Sequence, residues 1–126
     1  MRKITANGTL SEAEEQRIIF SWAEYSKGAN PELSLMFAIP NGGSRNRIEA
    51  HNLKLEGVKA GVPDICLPVP SGNYHGLYIE LKRTKGGVLS PAQKDYIKAL
   101  TEHGYLAVVA KGATEAIKVI TEYLKG

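Results

Sequence analysis

Between Gly61 and Lys82 the chain runs G-V-P-D-I-C-L-P-V-P-S-G-N-Y-H-G-L-Y-I-E-L-K, and three of these residues, Asp64, Glu80 and Lys82, could do chemistry together. The stretch has the form of two short strands joined by a turn at Ser71-Gly72-Asn73. Asp64 opens the first strand, and Glu80 and Lys82 sit near the end of the second. Strand residues two apart face the same side, so Glu80 and Lys82 project together while Ile79 and Leu81 point the other way. Carboxylates on adjacent strands suit Mg²⁺, a hard cation that takes oxygen ligands, often one or two carboxylates with waters kept. The backbone carbonyl of Leu81 is a plausible third oxygen. An ion held there would polarise a phosphate and lower the pKa of a water. Lys82 could position or deprotonate that water and offset charge in the transition state. Phosphodiester hydrolysis by a nuclease fits these residues better than any other chemistry.

Several elements must form to hold them. Ser11-Glu12-Ala13-Glu14 has the form of a capping box, predicting a helix over about residues 12–26. Ile18, Ile19, Trp22, Ala23 and Tyr25 are its expected buried stripe. Glu14 precedes Ile18 by four residues and Trp22 by eight, so it is expected inward, where it could reach the cleft as a direct or water-mediated ligand. Lys27-Gly28-Ala29-Asn30-Pro31 breaks the helix. Leu33 to Ile39 predicts a strand ending in a Pro40-Asn41-Gly42-Gly43 turn. Ser44 can cap a second helix through about Leu55, closed by Gly57. Ile65–Val69 and Leu77–Leu81 are the strands of the acidic stretch, with Pro68 marking an edge or early end. Ser90-Pro91-Ala92-Gln93 is the clearest helix start, with Tyr96, Ile97 and Leu100 inward and Gly104 as the stop. A strand over Tyr105–Ala110 and a helix over Thr114–Lys125 complete an α/β fold around a mixed four-stranded sheet flanked by helices.

Bulk properties narrow the function classes. With 126 residues and 43% hydrophobic composition, one packed domain is expected over residues 11–126 behind a lead-in at 1–10. No window resembles a membrane span, and the basic start has no apolar run behind it, so a cytoplasmic protein without a secretory signal is expected. A single cysteine, Cys66, fits a core thiol in a reducing compartment. His51 is expected as a partly exposed helix residue, and Trp22 and Tyr25 as core. The net charge of +3 permits nucleic acid as a partner. Arg45, Arg47, Lys54, Lys59, Arg83 and Lys85 flank the acids, which would otherwise repel a phosphate backbone, so they are expected to contact DNA.

Taken together, Gly61-Val62-Pro63-Asp64 and Glu80-Leu81-Lys82 resemble the PD-(D/E)xK nuclease pattern. With Glu14-Glu15-Gln16, Pro40 to Gly43 and Ser90 to Gln93 in the same order, the chain is similar to the VRR-NUC branch over about residues 11 to 110. The resemblance implies a restriction-endonuclease-like αβββαβ core and Mg²⁺- or Mn²⁺-dependent cleavage of DNA. Branched DNA such as Holliday junctions is the implied substrate, and a homodimer the implied assembly. It implies Asp64 and Glu80 as metal ligands, Lys82 as the catalytic lysine, Glu14 as the helix acid and Gln93 as a further site residue. Glu12 and Glu15 compete with Glu14 for the helix role. A flap or duplex nuclease, and a non-catalytic DNA-binding module that keeps the fold, are the alternatives.

Overall fold

A computed structural model describes residues 9–40 and 46–126. The expected Asn41–Gly43 turn, the Ser44 cap and Arg45 lie outside the described residues. Helix α1 (Glu12–Ser26) starts at its expected cap, where Ser11 Oγ accepts the Glu14 backbone N–H at 3.1 Å. The reciprocal half of the capping box does not form. The Glu14 carboxylate instead accepts a bond from Arg17 at 2.7 Å. Ile19 and Ala23 are buried, with Ile18 and Trp22 packed at the edge of the core. Tyr25, expected in that stripe, is 93% exposed. Six residues beyond Ile19, it points about 240° around the helix and misses the core face.

The expected strand from Leu33 to Ile39 is mostly something else. Pro31 opens a 3₁₀ turn (Pro31–Leu35) that buries Leu33, and only Phe37–Ala38 form strand β1. Proline's fixed φ suits the first position of a helical turn, and here it outweighs the strand tendency of the apolar run. Helix α2 (Arg47–Leu55) is capped by Asn46, whose Oδ1 accepts the Glu49 N–H at 2.8 Å. Strand β2 (Ile65–Leu67) stops at Pro68, earlier than the expected Val69. Strand β3 (Leu77–Lys82) is followed by α3 (Pro91–Glu102), β4 (Leu106–Lys111) and α4 (Ala113–Leu124).

The sheet order is β1-β2-β3-β4, antiparallel at the first two pairings and parallel at β3–β4. Leu77, Ile79 and Leu81 face a core shared with Ile19 of α1 and Ala116 and Ile120 of α4. Helix α3 packs on β4, and its Gln93 reaches the Glu80 and Lys82 side of β3. The order α1-β1-β2-β3-α3-β4 is the expected αβββαβ core, with α2 inserted between β1 and β2 and α4 appended. No described helix is long and apolar enough to cross a membrane.

Candidate active site

The cleft exists because β3 outruns one neighbour. Ile65–Leu67 of β2 pair with Leu77–Ile79, whereas β4 stays paired through Lys82. Glu80, Leu81 and Lys82 therefore extend past the last β2 partner. Asp64 stands where β2 departs. Its backbone carbonyl accepts the Ile39 N–H at 2.7 Å, and its Oδ2 accepts the Leu81 N–H at 2.7 Å, standing in for the absent ladder partner. In an extended strand the N–H and C=O of one residue point to the same side, so the Leu81 carbonyl faces the same opening.

Glu80 and Lys82 share a face of β3 as their spacing requires, and both are buried. Lys82 Nζ lies 3.9 Å from Glu80 Oε2. The Gln93 amide bridges them, its Nε2 donating to Glu80 Oε2 at 3.2 Å and its Oε1 accepting from Lys82 Nζ at 3.2 Å. The same Oε1 accepts the Ser90 backbone N–H at 2.8 Å, closing the capping box of α3. A flipped amide would set its NH₂ against two donors, so the cap fixes the polarity that the site sees. Gly87 lies so close to Lys82 that a Cβ there would stand 2.8 Å from the lysine Cβ, which confines the lysine stem.

Burial pushes the Glu80 carboxyl up to about 8; the Asp64 carboxylate beside it and the Glu12 charge push the same way, and Lys82 opposes them. Glu80 Oε1 is buried with no donor among the described residues, and the group against the Glu80 carboxyl is another carboxyl, Asp64, which can bond to it only through a proton. Such an orphan costs free energy unless something engages it. A cation would, and the oxygens of Asp64, Glu80 and Leu81 are the donors that Mg²⁺ or Mn²⁺ prefers. Among the described residues no group of three or more His, Cys, Asp or Glu side chains forms a metal cluster, so the set is two carboxylates and a carbonyl.

The three acids of α1 separate. Glu12 and Gln16 line a cleft of about 300 Å³ with Ile39, Pro40, Asp64 and Leu81. Glu14, expected to reach this cleft, lies on another face with Arg17, Ile18 and Trp22. The E-x-Q reading set Glu14 and Gln16 together, but two residues advance a helix by about 200°, onto opposite sides. Glu12 and Gln16, four apart, share a face, and that spacing was the available signal. Glu15 is buried and accepts the Ala113 N–H at 3.3 Å, capping α4, whose own N-cap residue, Gly112, has no side chain to do so.

Of the basic residues, Arg47 and Lys54 lie exposed on α2, Lys59 is exposed between α2 and β2, and Arg83 and Lys85 are one and three residues beyond Lys82. A larger hollow, about 570 Å³, lies elsewhere between the Ser71–Tyr74 turn, β4 and α4, and Glu122 is the one acid lining it.

A mixed sheet that splays to present two acids and a lysine belongs to the nuclease-fold class. The chain belongs to the VRR-NUC domain family, whose model matches residues 7–114. A solved structure described as a VRR_NUC domain protein is 38% identical, with a TM-score of 0.81 over 92% of this chain and 89% of that one. A search of curated proteins finds no match.

Proposed function

We propose that this protein is a metal-dependent DNA endonuclease acting on branched DNA such as Holliday junctions. The observation that most supports it is the Glu80 carboxyl, buried against the Asp64 carboxyl, with no donor on its Oε1 and Gln93 on its Oε2. Two carboxyls held together out of water need a proton or a cation between them.

Asp64, Glu80 and the Leu81 carbonyl would hold Mg²⁺ or Mn²⁺. The cation supplies positive charge to the scissile phosphate and lowers the pKa of water. Lys82 brings an ammonium to the same face, where it orients the attacking water and offsets negative charge as the bond breaks. Gln93 keeps Lys82 from collapsing fully onto Glu80, so both remain available. Glu12, which lines the same cleft as Asp64 and Leu81, is the acid of α1 that would act on the same water. Arg83 and Lys85, within three residues of Lys82, offset the repulsion between the acids and the phosphate backbone.

The test is cleavage of labelled four-way junctions, flaps and duplexes with Mg²⁺ and Mn²⁺. Junction cleavage that EDTA stops is the expected result. Lys82→Ala should lower it by 10²-fold or more while leaving DNA affinity in EDTA nearly unchanged, a loss on the order of that for removing one charge-stabilising donor. Cleavage undiminished by either change would exclude this mechanism.

A further inference from the structure

Helix α2 has no obvious reason to be folded. It is nine residues long and buries none of them. A helix this short is marginal in water without packing, so a partner is needed to make its order worthwhile. Its residues sort into stripes. Arg47, His51 and Lys54, at i, i+4 and i+7, fall on one edge. Ile48 and Leu55, each 73% exposed, form the adjacent ridge. Glu49 and Glu56 lie on the far flank, about 180° from the basic edge. Among the described residues neither Arg47 nor Lys54 is in an ion pair. Both roots of the segment carrying α2 are fastened at the cleft. Ile39, before it, bonds to Asp64, and Gly61, after it, lies against the first turn of α3, where a Cβ would stand 2.4 Å from the Ala92 carbonyl oxygen.

We propose that α2 is a DNA-gripping arm: its Arg47–His51–Lys54 edge lies along the phosphate backbone of the duplex whose neighbouring phosphodiester enters the cleft. The proposal rests on the nuclease reading. Unpaired cations in a row match phosphates, and a ring nitrogen of His51 adds a donor. The Ile48–Leu55 ridge then packs on the deoxyribose edges beside those phosphates. The acids, turned to the opposite flank, stay clear of the backbone. Because the arm is anchored beside Asp64 and Gln93, its grip sets where the scissile bond falls.

Binding of labelled junction and duplex, measured in EDTA between 50 and 300 mM KCl, tests it. Two phosphate contacts contribute about 1.8 to the slope of log affinity against log salt. Arg47→Ala/Lys54→Ala should reduce the slope by about that amount and weaken binding roughly ten- to a hundredfold at 0.1 M salt, equally across sequences. Glu49→Gln/Glu56→Gln should not weaken binding. Circular dichroism and melting confirm that each variant is folded. An unchanged slope in the basic variant, while wild type still binds and cuts, overturns the arm and leaves the nuclease standing. Wild type that neither binds nor cuts DNA removes both. A third outcome also overturns the arm: Ile48→Ser/Leu55→Ser turns a dimer into a monomer by light scattering with the salt slope unchanged, making α2 a contact between copies of the chain.

Discussion

At Glu80, burial and the neighbouring Asp64 carboxylate both oppose charge, and they outweigh the favourable ammonium of Lys82. Without metal, the folded protein therefore keeps a proton on this carboxyl up to about pH 8, while the unfolded chain releases it near 4.5. Between those values the native state binds more protons, so the contribution of Glu80 to stability falls as pH rises. In EDTA, the Tm of wild type relative to Glu80→Gln should drop from pH 5 to pH 8. A divalent cation, which takes the charged form, should remove much of that drop. Parallel pH dependence of the two proteins would contradict the raised carboxyl. The α1 acids give a second test. Glu15→Ala removes the cap of α4 and should cost about 1–2 kcal/mol, read as a Tm fall of several degrees. Glu12→Ala should leave Tm nearly unchanged and lower the cleavage rate, and Glu14→Ala should change neither Tm nor the rate appreciably. That Asp64, Glu80 and Lys82 come together is legible in the sequence because strand alternation and adjacency are local. Which acid of α1 faces them is not, because Glu12, Glu14 and Glu15 lie within one turn and only the placement of β2 and α4 distinguishes them.

Helix α3 shows one set of residues serving two levels. Ser90-Pro91-Ala92-Gln93 is recognisable as a helix start from sequence alone, since cap, proline and glutamine occupy their preferred positions. That the capping glutamine also clamps Glu80 and Lys82 depends on α3 being laid against β3, which no local pattern states. The loop into Asp64 is tied to the same turn. Gly61 has φ +87° and no room for a Cβ against the Ala92 carbonyl, so both conformation and contact demand glycine. Gly61→Ala should destabilise by more than about 1 kcal/mol and lower cleavage further, because the strain is relieved by shifting Gln93 or Asp64. Gln93→Met keeps the Ser90 Oγ cap but takes away the acceptor of the Ser90 N–H and the partner of Glu80 and Lys82, so Tm should fall by several degrees. The substitution should weaken Mn²⁺ binding by roughly tenfold in calorimetry, the usual cost of losing a group that orients a ligand. Elements without such punctuation are harder to read: the apolar run after Pro31 suits a strand, only the proline at its head favours a 3₁₀ turn, and Tyr25 belongs to the apolar set of α1 by type but not by helix angle.

Among the described residues one cleft brings Asp64 and Glu80 together with a lysine, and one such site per chain bears on what could be done to a junction. A four-way junction is close to twofold symmetric, and resolving it takes two cuts on opposed strands. A single domain can supply one cut per encounter; a twofold pair places two clefts on symmetric strands. The difference can be read on a supercoiled plasmid that extrudes a cruciform. A first nick releases the supercoiling that holds the cruciform out, and the junction is then reabsorbed. Two clefts already seated on the junction can make the second cut before this happens, giving linear plasmid. One cleft stops at the nicked circle. If the protein resolves junctions as a dimer, linear product should appear without prior build-up of nicked circle, and light scattering should give twice the chain mass at the assay concentration. A monomer that yields only nicked circles would instead assign the same Asp64–Glu80–Lys82 chemistry to flaps or plain duplex. The site would be unaltered and the substrate would be set by assembly, which a sequence of one chain does not encode in any local pattern.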